Sequence, residues 1–239
     1  MENNRGKINK RKLEQFIKKN KSLYILFKRF QSKNFINKVS KKIKGKKNKI
    51  IISKKSILNG VKIQINGNDN MIIIEDNCIL KNVKFCIWGN NHKILIKEHV
   101  VFADRGSEIW FEDSDCSLTI GKNSTIEGIH IAVTENNSAV SIGKDCMFSY
   151  DVDIRTGDSH SIIDLDSGKR INRAKNIEIG NHVWVGAHCS ILKGSYINNN
   201  CILGTGSILT KPVIEENVIL AGIPAKIIKR NVDWCRKRI

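Results

Sequence analysis

The sequence predicts an all-β solenoid, in which short parallel strands are joined by tight turns. Five segments, beginning at Ile50, Ile72, Ile94, Leu118 and Val140, share one plan of alternating apolar residues followed by a Gly/Asn/Asp turn. Their starts lie 22, 22, 24 and 22 residues apart. From residue 179 onward the period shortens to six residues, in IGNHVW VGAHCS ILKGSY INNNCI LGTGSI LTKPVI. Both repeats indicate stacked coils, because each unit buries its apolar face only against its neighbours.

The six-residue period sets the size of one coil. Six residues are too many for the alternation of a single strand and do not fit the turn of an α-helix. Three such faces make a coil of about 18 residues, and the 22-residue repeat is the same coil with a longer corner. We therefore assign residues 50–222 to a parallel β-helix that is interrupted by a loop at 157–176. Residues 1–49 are predicted to form a basic amphipathic helical extension, and residues 223–239 a C-terminal tail with a short helix.

Positive charge is concentrated at the N-terminus. The first 50 residues hold 18 Lys+Arg and 2 Asp+Glu, whereas the rest of the chain holds 23 and 21. The solenoid therefore lacks the clustered positive charge that a nucleic-acid surface needs, and no nucleic-acid partner is expected. Apolar residues recur at helical spacing in the extension, with lysines between them. Two roles for it stay open: peripheral contact with an anionic membrane, or packing over the open end of the solenoid.

Other features of the sequence bear on where in the cell the protein is located. The N-terminus lacks the apolar core of a signal peptide, and no apolar run approaches the roughly 20 residues of a membrane span. Seven cysteines are scattered without a CxxC pair, which is typical of a reducing environment. We expect a cytoplasmic protein, located at the inner face of the cytoplasmic membrane if the extension binds lipid.

One stretch breaks the repeat. The apolar period is lost between Ile154 and Ile177, in a charged segment that includes RTGDSH. An interruption of this kind in a repeat protein is more often a functional loop than an accident, since binding residues concentrate on loops held by a rigid scaffold. His160 stands where the coil leaves for this loop. The alternative is that His160 is one more polar turn residue, like His92 in the earlier turn GNNH.

The units IGKNST, IGKDCM, IGNHVW and LGTGSI, followed by AGIPAKIIKR, resemble the hexapeptide-repeat acyltransferases over residues 115–230. The resemblance is strongest to bacterial capsule and polysaccharide O-acetyltransferases, although antibiotic and galactoside acetyltransferases share the IGNHVWVG-like segment. It implies a left-handed parallel β-helix, a homotrimer with active sites between subunits, acetyl-CoA as donor substrate and a glycan acceptor. No metal is expected, because the six-residue spacing of His182 and His188 places them on successive faces of the solenoid.

The same resemblance assigns two catalytic residues, His160 as general base and Trp184 as a side chain that lines the site. Histidine titrates near neutral pH, so an imidazole can take the proton of a sugar hydroxyl as the hydroxyl attacks an acetyl thioester. Trp184 could instead fill the core. However, Ile179 and Val185 already occupy the inward positions of this segment, so we expect an outward ring.

Substrate and donor contacts are also implied. Four residues near His160 are candidates for the acceptor, with ordinary surface roles as the alternative: Arg155, Asp158, Glu127 and His130. Arg155 and Asp158 flank His160, and each would either orient its imidazole or bind an acidic sugar. Seven residues are candidates for the donor: Gly186, Ala187, Thr205, Thr210, Lys211, Lys226 and Lys229. Amides near Gly186 and Ala187 are expected to stabilise an oxyanion. Lys226 and Lys229 either bind the donor phosphates or only solvate the chain end.

The sequence therefore predicts an acetyl-CoA-dependent O-acetyltransferase that acts on a bacterial surface polysaccharide by direct transfer. The acceptor would be a capsule, including one that contains sialic acid, or an O-antigen. Two alternatives are a small-molecule acetyltransferase for an antibiotic or a nucleotide-linked sugar, and a β-helical scaffold without activity. The RTGDSH, VW-x-G and AGIPAK segments argue against the scaffold, since a solenoid needs none of them for packing.

Overall fold

A computed structural model describes residues 39–239, which form a parallel β-solenoid. Its 24 strands belong to three sheets, A, B and C, and from β1 to β22 successive strands along the chain enter the three sheets in turn. Each coil therefore contributes one strand to each side of a triangular prism. No segment within residues 39–239 is a helix with the length and apolar character needed to cross a membrane.

The strand bounds follow this three-sided plan. Sheet A contains β1 (Val39–Lys44), β4 (Val61–Asn66), β7 (Val83–Trp88), β10 (Ser107–Phe111), β13 (Ile129–Val133), β16 (Val152–Arg155), β19 (Ser190–Leu192) and β22 (Ile208–Leu209). Sheet B contains β2 (Lys49–Ile52), β5 (Met71–Ile74), β8 (Lys93–Ile96), β11 (Ser117–Ile120), β14 (Ala139–Ile142), β17 (Ile177–Ile179) and β20 (Tyr196–Ile197). Sheet C contains β3 (Ile57–Asn59), β6 (Ile79–Lys81), β9 (Val101–Phe102), β12 (Thr125–Ile126), β15 (Met147–Phe148), β18 (Trp184–Val185), β21 (Ile202–Leu203), β23 (Val218–Gly222) and β24 (Ala225–Arg230).

The register stacks equivalent residues of successive coils. On sheet B the pairing runs from Ile50 through Ile72, Ile94 and Leu118 to Val140, so the predicted 22-residue repeat is confirmed. The predicted inward residues of the six-residue repeat are all buried, at 3% exposure or less: Ile179, Val185, Ile191, Ile197, Leu203 and Leu209. Burial of each such side chain stabilises the fold by about 1.5–3 kcal/mol, so these columns form the core.

Asn, Asp and His residues build the corners between strands. Within residues 39–239, sixteen of the 19 non-glycine residues with positive φ belong to these three types, which tolerate the left-handed conformation best. Gly89 has a φ of 112°, and a Cβ there would lie 1.7 Å from the carbonyl oxygen of Asp113 on the next coil. The turns GNDN and GNNH thus reflect the close stacking of coils.

The ends of the solenoid differ from the prediction. The first strand, β1, lies within the region predicted as a helical extension, and its backbone pairs with β4 from Val39 to Lys44. Most side chains of β1 are exposed, and its lysines hide the strand pattern in the sequence. The rest of the predicted extension, residues 1–38, lies outside the described residues. The predicted C-terminal helix is not confirmed, because β24 folds back antiparallel onto β23 and residues 231–239 contain no helix.

Candidate active site

A folded loop interrupts the solenoid between β16 and β17. Ile163 and Arg170 form an antiparallel bridge across it. Asn172, buried at 7% exposure, accepts a hydrogen bond from the N–H of Ile162 at 2.7 Å and donates one to the carbonyl oxygen of His160 at 2.7 Å. One buried amide therefore ties the hairpin to the backbone of His160.

His160 is exposed at the corner between sheets A and B, where the loop begins. Its N–H donates to the carbonyl oxygen of Asp158 at 2.7 Å. Within the described residues, its imidazole has no hydrogen-bond partner. The backbone is thus fixed while the ring stays open to solvent, which is the arrangement that a base acting on an external substrate needs.

His92, the histidine of the earlier turn, is in contrast a core residue. It is 1% exposed, its Nε2 lies 3.1 Å from the carbonyl oxygen of Trp88, and its Nδ1 accepts the N–H of Cys116 at 3.2 Å. Its ring also meets the ring of Phe111 edge-on at 5.2 Å. Burial lowers the pKa of His92. The prediction of a polar turn residue is therefore wrong for His92, because the stacked coils enclose this corner.

Asp158 fixes the base of the loop. Its carboxylate pairs with Nζ of Lys193 and accepts a hydrogen bond from the side-chain amide of Asn172 at 2.8 Å. The hydrogen bond from Lys193 holds the pKa of Asp158 below its usual range. The Asp158 carboxylate thus contacts Asn172 and Lys193, and within this chain it does not orient the imidazole of His160. Neither Asn172 nor Lys193 carries a sequence signal that marks it for this role.

Arg170 closes the loop against the preceding coil. Its two terminal nitrogens contact the carboxylate of Glu135 at 2.5 and 3.1 Å, and both side chains are less than a quarter exposed. Bidentate pairs of this geometry are among the stronger polar contacts in proteins. Sequence reasoning missed the pair because Glu135 lies 35 residues earlier in the chain.

Trp184 projects from the outer face of sheet C. Its side chain is 38% exposed, whereas Val185 is fully buried, so the predicted outward direction is confirmed. Met147 and Ile202 flank Trp184 on the neighbouring strands. The ring of Trp234, from the C-terminal segment, lies 6.1 Å from the Trp184 ring.

His160 and Trp184 lie on opposite sides of one chain. The loop leaves the corner between sheets A and B, and in a three-sided solenoid that corner faces away from sheet C. One chain therefore does not bring the two predicted catalytic residues together.

A groove of about 770 Å³ runs along the outer face of sheet A and crosses four coils. One row of paired residues forms its floor: Lys84, Glu108, His130 and Asp153. Nζ of Lys84 lies 2.7 Å from Oε1 of Glu108, and Nδ1 of His130 lies 2.8 Å from Oδ1 of Asp153. The groove thus presents alternating hydrogen-bond donors and acceptors.

Asp153 connects two of the predicted acceptor residues. It accepts a hydrogen bond from Nε of Arg155 at 2.6 Å in addition to its contact with His130. Burial by itself raises the pKa of Asp153, but the hydrogen bonds from His130 and Arg155 outweigh it and hold the pKa below the usual value. Sequence reasoning missed Asp153, although the spacing in VDIR places it on the same strand face as Arg155.

Glu127, the fourth predicted acceptor residue, does not line the groove. It is exposed at the corner between sheets C and A, where its Oε2 lies 3.7 Å from Nε of Arg105. Of the four predicted acceptor residues, only His130 and Arg155 share the groove.

The predicted donor residues lie around the last coils, on different edges. The corner between sheets C and A holds Gly186, Ala187 and Thr205, strand β24 holds Lys226 and Lys229, and the corner between sheets A and B holds Thr210 and Lys211. One chain does not gather all seven on one side. The three lysines are exposed and form no ion pair within residues 39–239, so their charges fit the phosphate groups of a donor such as coenzyme A.

Coil packing explains Gly186. A Cβ at this position would lie 2.7 Å from the backbone nitrogen of Thr205. The N–H of Gly186 donates to the carbonyl oxygen of Leu203 at 2.8 Å and therefore belongs to the hydrogen bonding between coils. The Gly186 amide is therefore not available to stabilise an oxyanion, contrary to the expectation. Of the two amides at Gly186 and Ala187, that of Ala187 remains the candidate.

His182 and His188 contact carboxylates at separate corners, and Nε2 of His182 also lies 3.5 Å from Oδ1 of Asp233. Nδ1 of His182 lies 2.8 Å from Asp145, and Nδ1 of His188 lies 2.6 Å from Asp151. Both histidines have left-handed backbone conformations, with φ of 54° and 58°. Among the described residues, no group of three or more His, Cys, Asp or Glu side chains is arranged to hold a metal ion.

Comparisons with known proteins agree with this architecture. The family model described as bacterial transferase hexapeptide (six repeats) matches residues 176–211. A crystal structure of the polysialic acid O-acetyltransferase OatWY is 38% identical, with a TM-score of 0.77, over 84% of this chain and 93% of its own. The polysialic acid O-acetyltransferase of Neisseria meningitidis is 39% identical over 124 residues, and that of Escherichia coli O1:K1 / APEC is 44% identical over 119 residues.

The two curated sequences align over 52% and 50% of this chain, and the alignments cover 57% and 38% of those proteins. Thus the matched region spans about half the length, or less, of these curated relatives. The likeness to the crystal structure extends over nearly all of that chain. The protein belongs to the hexapeptide-repeat transferase family, in which its relatives include polysaccharide O-acetyltransferases.

Proposed function

We propose that the protein is an acetyl-CoA-dependent O-acetyltransferase that modifies hydroxyl groups of an acidic bacterial surface polysaccharide. The exposed imidazole of His160, at the base of a folded loop, is the observation that carries this proposal. The relatives described as polysialic acid O-acetyltransferases support the choice of acceptor and make polysialic acid the first glycan to test.

The proposed reaction is a direct transfer. The donor supplies an acetyl group that is activated as a thioester. His160 takes the proton of the acceptor hydroxyl as its oxygen attacks the thioester carbonyl, and then returns the proton to the departing sulfur. Such general-base assistance contributes about 10²–10⁴ in rate. The amide of Ala187 is the proposed donor to the oxyanion, and Trp184 lines the site.

The site requires two copies of the chain. His160, Thr210 and Lys211 belong to the corner between sheets A and B, whereas Trp184, Lys226 and Lys229 belong to sheet C. We infer a homotrimer of left-handed solenoids in which this corner of one copy faces sheet C of the next. The loop supports such a contact with four exposed apolar side chains: Ile162, Ile163, Leu165 and Ile171.

The groove on sheet A is the proposed path of the acceptor glycan. It reaches Arg155, which lies five residues before His160 in the same coil. Arg155 uses Nε to hold Asp153, so its two terminal nitrogens can receive the carboxylate of an acidic sugar. Nε2 of His130 is directed away from Asp153 and can bind a sugar hydroxyl.

We also propose a cytoplasmic location with peripheral contact at the inner face of the membrane. Support comes from the 18 basic and 2 acidic residues in the first 50 positions, a charge that favours anionic lipid.

The test is incubation with labelled acetyl-CoA and a panel of glycans, followed by mapping of the acetylated position. The panel contains polysialic acid, neutral capsule polymers, galactosides and chloramphenicol. Transfer to an acidic polymer is the expected result. Transfer only to a small molecule would replace the acceptor assignment, and no transfer to any compound would overturn the proposal.

A further inference from the structure

The C-terminal residues 231–239, here called the clasp, run back along the outer face of sheet C. The N–H of Val232 donates to the carbonyl oxygen of Asn217 at 3.0 Å, beside β23. Further along, NH1 of Arg236 donates to Oγ1 of Thr125 on β12 at 2.7 Å. The clasp therefore passes β23, β21, β18, β15 and β12, whereas the sequence predicts a C-terminal tail with a short helix for residues 223–239.

Trp234 anchors the clasp on His182. The two rings stack with centroids 4.2 Å apart and planes 7° from parallel. The indole N–H donates to the carbonyl oxygen of His182 at 2.8 Å, and Nε2 of His182 lies 3.0 Å from the carbonyl oxygen of Trp234. Trp234 is 7% exposed. These reciprocal contacts give it a defined position.

Asp145 joins the two parts of the clasp. One carboxylate oxygen lies 2.8 Å from Nδ1 of His182, and the other accepts a hydrogen bond from Nε of Arg236 at 3.2 Å. The guanidinium group of Arg236 also lies 5.5 Å from the centre of the Trp234 ring. Asp145, His182, Trp234 and Arg236 thus form one closed network.

This network borders the face that carries Trp184. The Trp234 ring lies 6.1 Å from the Trp184 ring, at an angle of 49° between their planes. In the register of sheet C, Trp184 pairs with Ile202, Ile202 with Ile219, and Ile219 with Lys229. Trp184, which lines the proposed site, and Lys229, a proposed donor-binding lysine, therefore share one row beside the clasp.

We propose that the clasp is one wall of the acetyl-CoA site and that Trp234 is a positioning residue, which acts through the ring of Trp184. The inference rests on the proposed function. In this proposal, the stack of Trp234 on His182 restricts the Trp184 ring to few positions. The surface that the donor contacts is therefore formed before the donor binds. A clasp that only stabilised the fold would leave the affinity for the donor unchanged.

Steady-state kinetics of Trp234→Ala, Trp234→Phe and Arg236→Gln test the inference. For Trp234→Ala we expect the KM for acetyl-CoA to rise about tenfold with the glycan KM unchanged, because one aromatic contact is lost. Trp234→Phe keeps a stacking ring and should recover most of the effect. The matched control is Trp110→Ala, which removes an aromatic partner of Trp88 on sheet A, at a ring distance of 6.2 Å.

Cys235 provides a second readout in the unmodified protein. It is the exposed member of the seven cysteines, since the other six are buried. Acetyl-CoA should slow alkylation of Cys235 by iodoacetamide several-fold, as read by mass spectrometry, while labelling of the buried cysteines reports any unfolding.

Two results would overturn the inference while leaving the proposed function intact. One is normal transfer by Trp234→Ala with an unchanged KM for acetyl-CoA. The other is Cys235 labelling that saturating acetyl-CoA does not slow. Absence of transfer by the unmodified protein would instead remove the proposed function, and the inference with it.

Discussion

Nδ1 of His130 lies 2.8 Å from Oδ1 of Asp153, so two neighbouring coils of sheet A present an oriented histidine in the groove on that sheet. Arg155 holds the second oxygen of the same carboxylate at 2.6 Å. His160 differs, since its imidazole has no partner within the described residues. The two histidines therefore suit different tasks, His130 the binding of a sugar and His160 the movement of a proton.

Substitution of Asp153→Asn should weaken binding of the glycan. It removes the charge that holds both His130 and Arg155, so we expect the KM for polysialic acid to rise about tenfold while the KM for acetyl-CoA stays the same. Steady-state kinetics with each substrate varied in turn provide the measurement. Glu178→Gln, an exposed carboxylate on sheet B, is the control. An unchanged glycan KM would place the acceptor outside the groove.

Asp153 should also contribute to the acid sensitivity of the fold. Its pKa is depressed in the folded state, so its stabilising contribution is present above the unfolded pKa of about 3.9 and is lost as the pH falls through the folded value. The melting temperature of Asp153→Asn should therefore fall less steeply below about pH 4 than that of the unmodified protein. An equally steep fall of the melting temperature below about pH 4 in the two proteins would contradict this contribution of Asp153.

Trp184→Ala should reduce transfer strongly and stability little. The ring is 38% exposed on sheet C and adds little to the core, whereas Val185 fills the inward position. We expect kcat/KM to fall by about 10²-fold with a melting temperature within a few degrees of the original. A large drop in melting temperature would show that the ring belongs to the packing.

His92→Ala should have the reverse effect. The substitution leaves a cavity beside Phe111 and removes the acceptor of the Cys116 N–H, so the free energy of unfolding should fall by about 2 kcal/mol or more. Urea denaturation measures this change, and activity per folded molecule should stay normal. His160→Ala is the control for stability because the His160 side chain is exposed. Equal stability of the two variants would contradict the structural role of His92.

Deletion of residues 1–38 tests the N-terminal segment. If it contacts the membrane, the shortened protein should keep its turnover on soluble acceptor and lose salt-sensitive binding to vesicles of anionic lipid. Vesicles of neutral lipid are the control, and co-sedimentation at low and high salt is the measurement. A shortened protein that is insoluble or unfolded would favour the other role, packing over the first coil.

The columns of the core could be predicted because they are local and periodic. Ile50, Ile72 and Ile94 recur at fixed spacing, and this spacing alone places them on one sheet. Val185 takes the inward position of the VW pair, which leaves the outward one to Trp184. Period and alternation therefore determine most of the solenoid and the direction of the tryptophan.

Contacts between distant segments could not be predicted in the same way. Trp234 meets His182 from 52 residues away, and Arg170 meets Glu135 from 35. No periodicity links such positions, so the clasp and the anchoring of the loop emerge only from the folded chain. The burial of His92 could not be predicted for a related reason. The next coil encloses the His92 side chain, but the turn sequence GNNH carries no sign of that contact.

The role of His160 as general base is tested most directly by single-turnover acetyl transfer with His160→Ala. With both substrates saturating, we predict a rate about 10²-fold or more below that of the unmodified protein, with acetyl-CoA binding retained and the melting temperature unchanged. Because the His160 ring is exposed, its removal should not impair folding, so a folding defect would not explain a loss of transfer rate. A near-normal rate for His160→Ala, under conditions where chemistry limits turnover, would show that His160 is not the general base.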